Sequence, residues 1–154
     1  MLTSIKLKGV RLFAALERAH LEAVGELAKE ERLPAGTVIF KEGDRSERFY
    51  FLLKGKVRIS KIIPEVGEEA LTILEPGDYF GEMALILGTP RSAQAIAHTE
   101  VHLAVIESFT FNELLENNKE LGFEVLQSFT RTLAERLLET DEKLKAFFAM
   151  VGRF

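Results

Sequence analysis

Phe80-Gly81-Glu82-Met83-Ala84-Leu85-Ile86-Leu87-Gly88-Thr89-Pro90-Arg91-Ser92-Ala93-Gln94-Ala95 reads as a small anion-binding cassette set between two strands. Gly81 allows a tight backbone approach, Glu82 to Leu87 spans one or two helical turns, and Gly88 stops the helix where a positive φ is wanted. The start of that helix leaves the N–H groups of about Glu82 to Ala84 without intrahelical partners, and their partial positive charge favours an anion. Pro90 fixes the backbone ahead of Arg91, whose guanidinium suits phosphate oxygens as a bidentate fork. Ser92 adds a hydroxyl and an N–H. Glu82 repels phosphate but accepts from a sugar hydroxyl. The combination calls for a ligand with both a phosphate and a free hydroxyl.

Outward from the cassette, Thr37 to Ile106 is a series of short β-branched and aromatic runs: Val38–Phe40, Phe49–Leu53, Val57–Ser60, Ala70–Leu74, Ala93–Ala97 and Val101–Ile106. Turns fall at Gly36, Gly43-Asp44, Gly55, Gly67 and Pro76-Gly77-Asp78, the cadence of a sandwich or antiparallel barrel. Before it, Val10 to Lys29 spaces Leu12, Phe13, Leu16, Ala19, Val24, Leu27 and Ala28 as in one or two short amphipathic helices, which Pro34-Ala35-Gly36 ends. One domain over 1–154 is expected, with a helical segment at 1–36, a β-barrel at 37–107 and C-terminal helices at 108–154.

After Ser108, placed as an N-cap, Phe109 to Glu116 predicts a short helix, and Asn117-Asn118 starts a long one running towards Met150. The long helix alternates steps of three and four at Phe123, Leu126, Thr130, Leu133, Leu137, Thr140, Leu144, Phe147 and Val151, four heptads of a/d spacing. The N-terminal half of that stripe is expected to cover the barrel, and the C-terminal half to form a parallel two-helix dimer seam.

Gly81-Glu82-Met83-Ala84-Leu85 followed by Arg91-Ser92-Ala93, nine residues after the glutamate, resembles the phosphate-binding cassette of cyclic nucleotide-binding domains. Lys54-Gly55-Lys56-Val57 and Pro76-Gly77-Asp78-Tyr79-Phe80 extend the resemblance over most of the chain. It implies an eight-stranded antiparallel jelly-roll barrel, mainly β with flanking helices. Glu82 would take the ribose 2′-hydroxyl and Arg91 the cyclic phosphate, with backbone groups of Gly81, Met83 and Ala84, and Ser92, completing the pocket. Ile59 and Leu71 match positions that pack against sugar and base, and equally suit ordinary barrel core. Arg136 to Lys143 resembles the long helix of catabolite-activator-type regulators, where residues matching Thr140 and Asp141 face the purine, one of them from the partner subunit. Asp141 stands where a serine hydroxyl is common, and a carboxylate only accepts, which keeps cyclic GMP beside cyclic AMP as ligand. The resemblance implies a receptor without catalytic residues, a homodimer through the C-terminal helix, and a separate effector protein as a possible partner.

At 154 residues with 47% apolar and 29% charged content, the composition is that of a soluble globular protein. A net charge of −4 and the lack of a basic run argue against a nucleic-acid surface. No cysteine is present, so disulfides, iron–sulfur clusters and thiolate metal sites are excluded. No signal-peptide core or membrane-length apolar run appears, which makes the cytoplasm the default. The histidines are His20, His98 and His102. If the last two share a strand they lie about 13 Å apart, too far to share a metal, and no metal is expected. The competing readings are a jelly-roll sensor for haem and a scaffold with no ligand. Haem would require an axial histidine.

Overall fold

The structure, a computed structural model, describes residues 4–152, apart from the side chains of residues 4, 5, 84 and 85. The chain runs α1 (Ser4–Lys8), a 3-10 turn (Arg11–Phe13), α2 (Arg18–Leu27), β1 (Lys29–Leu33), β2 (Val38–Phe40), β3 (Arg48–Lys54), β4 (Val57–Ile63) and β5 (Gly67–Leu74). It continues through β6 (Tyr79–Phe80), α3 (Glu82–Leu87), β7 (Gln94–Ala97), β8 (Val101–Glu107), α4 (Ser108–Asn117) and α5 (Lys119–Val151). The strands form two antiparallel four-stranded sheets, ordered β1-β8-β3-β6 and β2-β7-β4-β5, the jelly roll that the cassette's resemblance implied.

The unbroken apolar run of β3 has a simple cause: both of its faces are covered. Tyr50 and Leu52 face a core that also holds Val57 and Phe80, while Phe49 and Phe51 face the helices. The Phe49 ring lies 5.6 Å from Phe111 of α4 and 5.7 Å from both Phe129 of α5 and Tyr79 of β6. Such pairs contribute about 0.5–1.5 kcal/mol each beyond area burial, and here they fix the helical layer on the sheet that carries β6 into the cassette.

The helical N-terminal segment is shorter than expected. Lys29-Glu30-Glu31-Arg32-Leu33, the tail of the expected helical region, is an edge strand paired with β8 alone, from Lys29↔Val105 to Leu33↔Val101, so the sheets begin before Gly36. Its charges suit an edge, where they discourage pairing with another chain. Glu30 takes Lys6 and His102, and Glu31 takes Arg48. His98 lies just beyond β7 and contacts Arg58, so His98 and His102 do not share a strand. Among the described residues no three His, Asp or Glu side chains gather as a metal site.

At the C-terminal end, Asn118 caps α5 by accepting from the Leu121 N–H at 3.1 Å. Ser108 is not a cap: it is the first residue of α4, and its buried hydroxyl has no hydrogen-bond partner among the described residues. The two helices cross closely at Gly122, where a Cβ would sit 2.7 Å from the Leu115 carbonyl oxygen. The stripe of α5 that covers the sheet is Leu121, Val125 and Phe129, not the N-terminal half of the heptad seam, since Phe123 and Leu126 are exposed. Beyond Phe129 no described residue of the helix is buried, and Leu137, Leu144, Phe147 and Val151 are exposed too. No described helix is long and apolar enough to cross a membrane.

Candidate functional site

The short β6 ends at Phe80, and the chain turns at Gly81 with φ +87° before α3 begins at Glu82. The turn brings the Gly81 carbonyl against Arg91, whose Nη1 donates to it at 3.0 Å. Arg91 Nη2 donates to the Arg48 carbonyl at 2.6 Å. Its guanidinium carbon lies 4.2 Å from the centroid of the Phe40 ring, a cation–π arrangement that partly replaces lost hydration. Backbone bonds to Asp44 and Gly43, both 2.9 Å, hold Arg91 against the turn between β2 and β3. Burial pulls the Arg91 pKa down, while Tyr50, Glu82 and Asp44 act the other way. Arg91 is 4% exposed, and its buried Nε has no hydrogen-bond partner among the described residues. A buried guanidinium with a donor to spare fits an anion's oxygens.

Glu82 is 3% exposed. Burial pushes its carboxyl above the usual range, and Arg136 and Arg91 pull it back. The cation beside it comes from α5: Arg136 Nη1 donates to Glu82 Oε1, and Nη2 donates to the Tyr79 carbonyl at 3.2 Å. The Arg136 guanidinium also lies 5.5 Å from the Tyr79 ring. The pair therefore joins β6, α3 and α5 at one point.

A cavity of about 610 Å³ opens there, within the range of small-molecule sites. Gly81, Glu82, Met83, Arg91 and Ser92 line one side, Ile59 and Leu71 the barrel wall, and Thr140 the α5 side. Ala84 follows in the first turn of α3. Asp141 is exposed and does not line the cavity, so the structure does not bring it to the site. Its neighbour Thr140 donates its hydroxyl to the Arg136 carbonyl at 2.9 Å, which leaves acceptor lone pairs on Oγ1.

In the sequence Arg136 stands only at the start of the stretch that resembles the regulator helix, and Phe40 only in the run Val38–Phe40, neither with a role at the site. A signal for Arg136 was available: it precedes Thr140 by four residues, one turn of the same helix face, and a buried carboxylate requires a cation. Phe40 carried no such signal, because its place under Arg91 depends on the pairing of β2 with β7.

Residues 30–118, more than half of the chain, match the family described as the cyclic nucleotide-binding domain. The protein belongs to that family. It is 29% identical over 133 residues to the CRP-like cAMP-activated global transcriptional regulator of Mycobacterium tuberculosis, covering 86% of this chain and 58% of the regulator. Human cGMP-dependent protein kinase 2 is 32% identical over 142 residues, 91% of this chain but 18% of the kinase. The chain thus spans little more than half of the first relative and a small part of the second. Among solved structures, a cyclic nucleotide-binding domain from Methylobacillus flagellatus superposes with a TM-score of 0.80 at 26% identity, covering 92% of this chain and 79% of that one.

Proposed function

We propose that this cyclic nucleotide-binding domain takes a 3′,5′-cyclic purine nucleotide, cyclic AMP in preference to cyclic GMP, and acts in the cytoplasm as a receptor without chemistry of its own. The observation that carries the reading is Arg91, a buried guanidinium with a spare donor at the wall of a cavity that also holds a buried carboxylate. In this reading the cyclic phosphate meets Arg91, Ser92 and the backbone of Gly81, Met83 and Ala84. The ribose 2′-hydroxyl donates to Glu82, and the sugar and base rest on Ile59 and Leu71. The preference for adenine rests on the likeness to a regulator described as cAMP-activated; Thr140, whose own hydrogen is already given to the Arg136 carbonyl, offers an acceptor that the exocyclic amine of either purine can use. Asp141, whose carboxylate could accept from either purine, does not line this cavity, and in this reading it acts across a dimer.

The signal passes through Arg136. A ribose hydroxyl arriving at Glu82 changes the partner that holds α5 to the cassette, and a ligand shifts a conformation only through such differential contacts. The output is a rearranged homodimer along the exposed seam of α5, or a separate effector protein that reads it. No metal and no direct nucleic-acid contact enter this scheme.

Thermal unfolding with cyclic AMP, cyclic GMP and 5′-AMP tests the reading. A specific ligand at one hundred times its dissociation constant adds about 2.7 kcal/mol, a shift of several degrees. Cyclic AMP is expected to give the largest shift and 5′-AMP none, with the shift abolished in Arg91→Ala. No response to any of the three sinks the receptor reading and favours a scaffold or a barrel for another effector.

A further inference from the structure

Arg91 is a buried cation held without a carboxylate. It is 4% exposed, yet it makes no ion pair among the described residues, and Glu82, the buried acid of the same cavity, pairs with Arg136 instead. Buried charges are ordinarily paired. What Arg91 has are two backbone carbonyls, of Gly81 and Arg48, and the face of an aromatic ring. The carbonyls take one hydrogen from each terminal nitrogen, which leaves the Nε–H and the other hydrogen of each Nη as donors.

The ring is that of Phe40, the last residue of β2, with its centroid 4.2 Å from the guanidinium carbon. Phe40 is itself fixed by two further rings. Tyr50 lies 5.7 Å and Phe80 6.0 Å from it, and those two stack on each other at 4.9 Å with planes 7° apart. The turn that follows β2 holds the backbone of the same arginine: Gly43 donates to the Arg91 carbonyl and Arg91 donates to the Asp44 carbonyl, both at 2.9 Å. One segment, Phe40 to Asp44, thus sets both the backbone of Arg91 and the plane of its guanidinium.

We infer that Phe40 is a positioning residue for the cyclic phosphate, acting through Arg91. A carboxylate in its place would hold the arginine equally well, but it would neutralise the cation and compete with the arriving anion. The negative face of a ring attracts the guanidinium and leaves its charge uncompensated. Phe40 also lines the cavity, so it closes one face of the guanidinium and directs an anion to the edge, where the free donors are. A long side chain fixed before the ligand arrives loses little further freedom on binding, and that preorganisation raises affinity. The inference rests on the reading of the cavity as a cyclic nucleotide site.

The test is calorimetric titration of the whole chain with cyclic AMP in the wild type, Phe40→Leu and Phe40→Tyr, together with the NMR signal of the Arg91 Nε–H in each protein without ligand. Phe40→Leu keeps an apolar side chain beside Tyr50 and Phe80 but removes the aromatic face, and Phe40→Tyr restores the face. Phe40→Leu is expected to bind about tenfold more weakly at unchanged stoichiometry, the worth of a desolvated cation–π contact, and Phe40→Tyr to stay within about twofold of the wild type. The ring current of an aromatic face shifts a proton above it upfield. The Arg91 Nε–H should show that shift in the wild type and in Phe40→Tyr and lose it in Phe40→Leu, a change that looser packing alone does not produce. Equal affinity in Phe40→Leu, a Phe40→Tyr as weak as Phe40→Leu, or an unshifted Arg91 Nε–H in the wild type each overturns the inference and leaves the receptor reading standing. A wild type that binds neither cyclic AMP nor cyclic GMP overturns the receptor reading and this inference with it.

Discussion

Arg136, midway along α5, donates to the carboxylate of Glu82, the residue that opens α3, across a sequence separation of 54. The two side chains are unequal: Glu82 is 3% exposed and Arg136 37%. The acid is therefore the member that depends on the pair, since it has given up its water. Arg136→Met removes the cation and strands a buried charge. Breaking a fully buried pair costs about 3–5 kcal/mol. With Arg136 partly solvated, a loss of about 2–3 kcal/mol is expected in urea unfolding. Adding Glu82→Gln to the same chain should recover most of it, because a neutral amide needs no counter-charge, and the double-mutant cycle should show clear coupling. An unchanged midpoint in Arg136→Met means the contact is not held in solution.

The same residue sets a pH dependence whose sign is specific. Burial raises the folded-state pKa of Glu82 above its unfolded value, even with Arg136 and Arg91 acting against it. The folded protein thus binds this proton more tightly than the unfolded chain does. Glu82 costs stability at pH above its folded pKa, and the cost disappears as pH falls through that pKa. Glu30 and Glu68 run oppositely, held low by Lys6 and Arg58 respectively; their contribution is present above the unfolded value and lost on acidification. The comparison that isolates Glu82 is wild type against Glu82→Gln. The variant should be the more stable at neutral pH, with the difference closing as the pH is lowered toward the carboxylate range in a series of thermal melts. A variant less stable than wild type at neutral pH would show that Arg136 outweighs burial.

Gly81 is held by two independent constraints. Its φ is +87°, and a Cβ would stand 2.6 Å from Arg91 Nη1 and 3.2 Å from the Arg48 carbonyl oxygen. Backbone strain of about 1–2 kcal/mol then adds to a displaced guanidinium. Gly81→Ala should lose about 2–3 kcal/mol of stability and more than tenfold in cyclic AMP affinity by calorimetry. Gly88→Ala is the control, since φ is +64° there but no atom lies within 4 Å of the added Cβ. It should be strained yet bind normally. Equal losses of affinity in the two would sever the link between Gly81 and Arg91.

The legible parts of the sequence were those where one residue type meets a local demand. Gly81, Gly88 and Pro90 mark turns, Glu82 and Arg91 are paired chemistry at a fixed spacing, and Asn118 is a cap that works within its own turn. The parts that were not legible depend on contacts made at long range. Lys29 to Leu33 has the composition of a solvated helix end and becomes a strand because β8 offers an edge. The helix α5 carries two apolar stripes, and which of them meets the sheet is decided by Phe49 and Tyr79, both packed against Phe129. Arg136 is one charge among several on its helix in the sequence, and only the fold sets the buried Glu82 opposite it. The resemblance gave Thr140 and Asp141 to the purine with one of them from the partner subunit; consecutive helix positions are turned about 100° apart, and Thr140 is the one that faces this chain's own cavity.

That exposed stripe gives the last prediction. Leu137, Leu144, Phe147 and Val151 are 61%, 50%, 53% and 50% exposed, and they recur at the spacing by which two parallel helices interlock. A second copy of the chain would cover them without any change in the fold of either. Sedimentation equilibrium should therefore find a dimer, and Leu137→Glu combined with Leu144→Glu should convert it to a monomer with an unchanged circular dichroism spectrum, because like charges would face each other across the seam. Leu138→Glu is the discriminating control. Leu138 is at least as exposed, at 67%, but lies off the stripe, so its substitution should leave the dimer in place. If all three substitutions act alike, general apolar adhesion and not a helical seam holds the copies together. A wild-type chain that sediments as a monomer would assign the stripe to a different protein and move the output of the cassette with it.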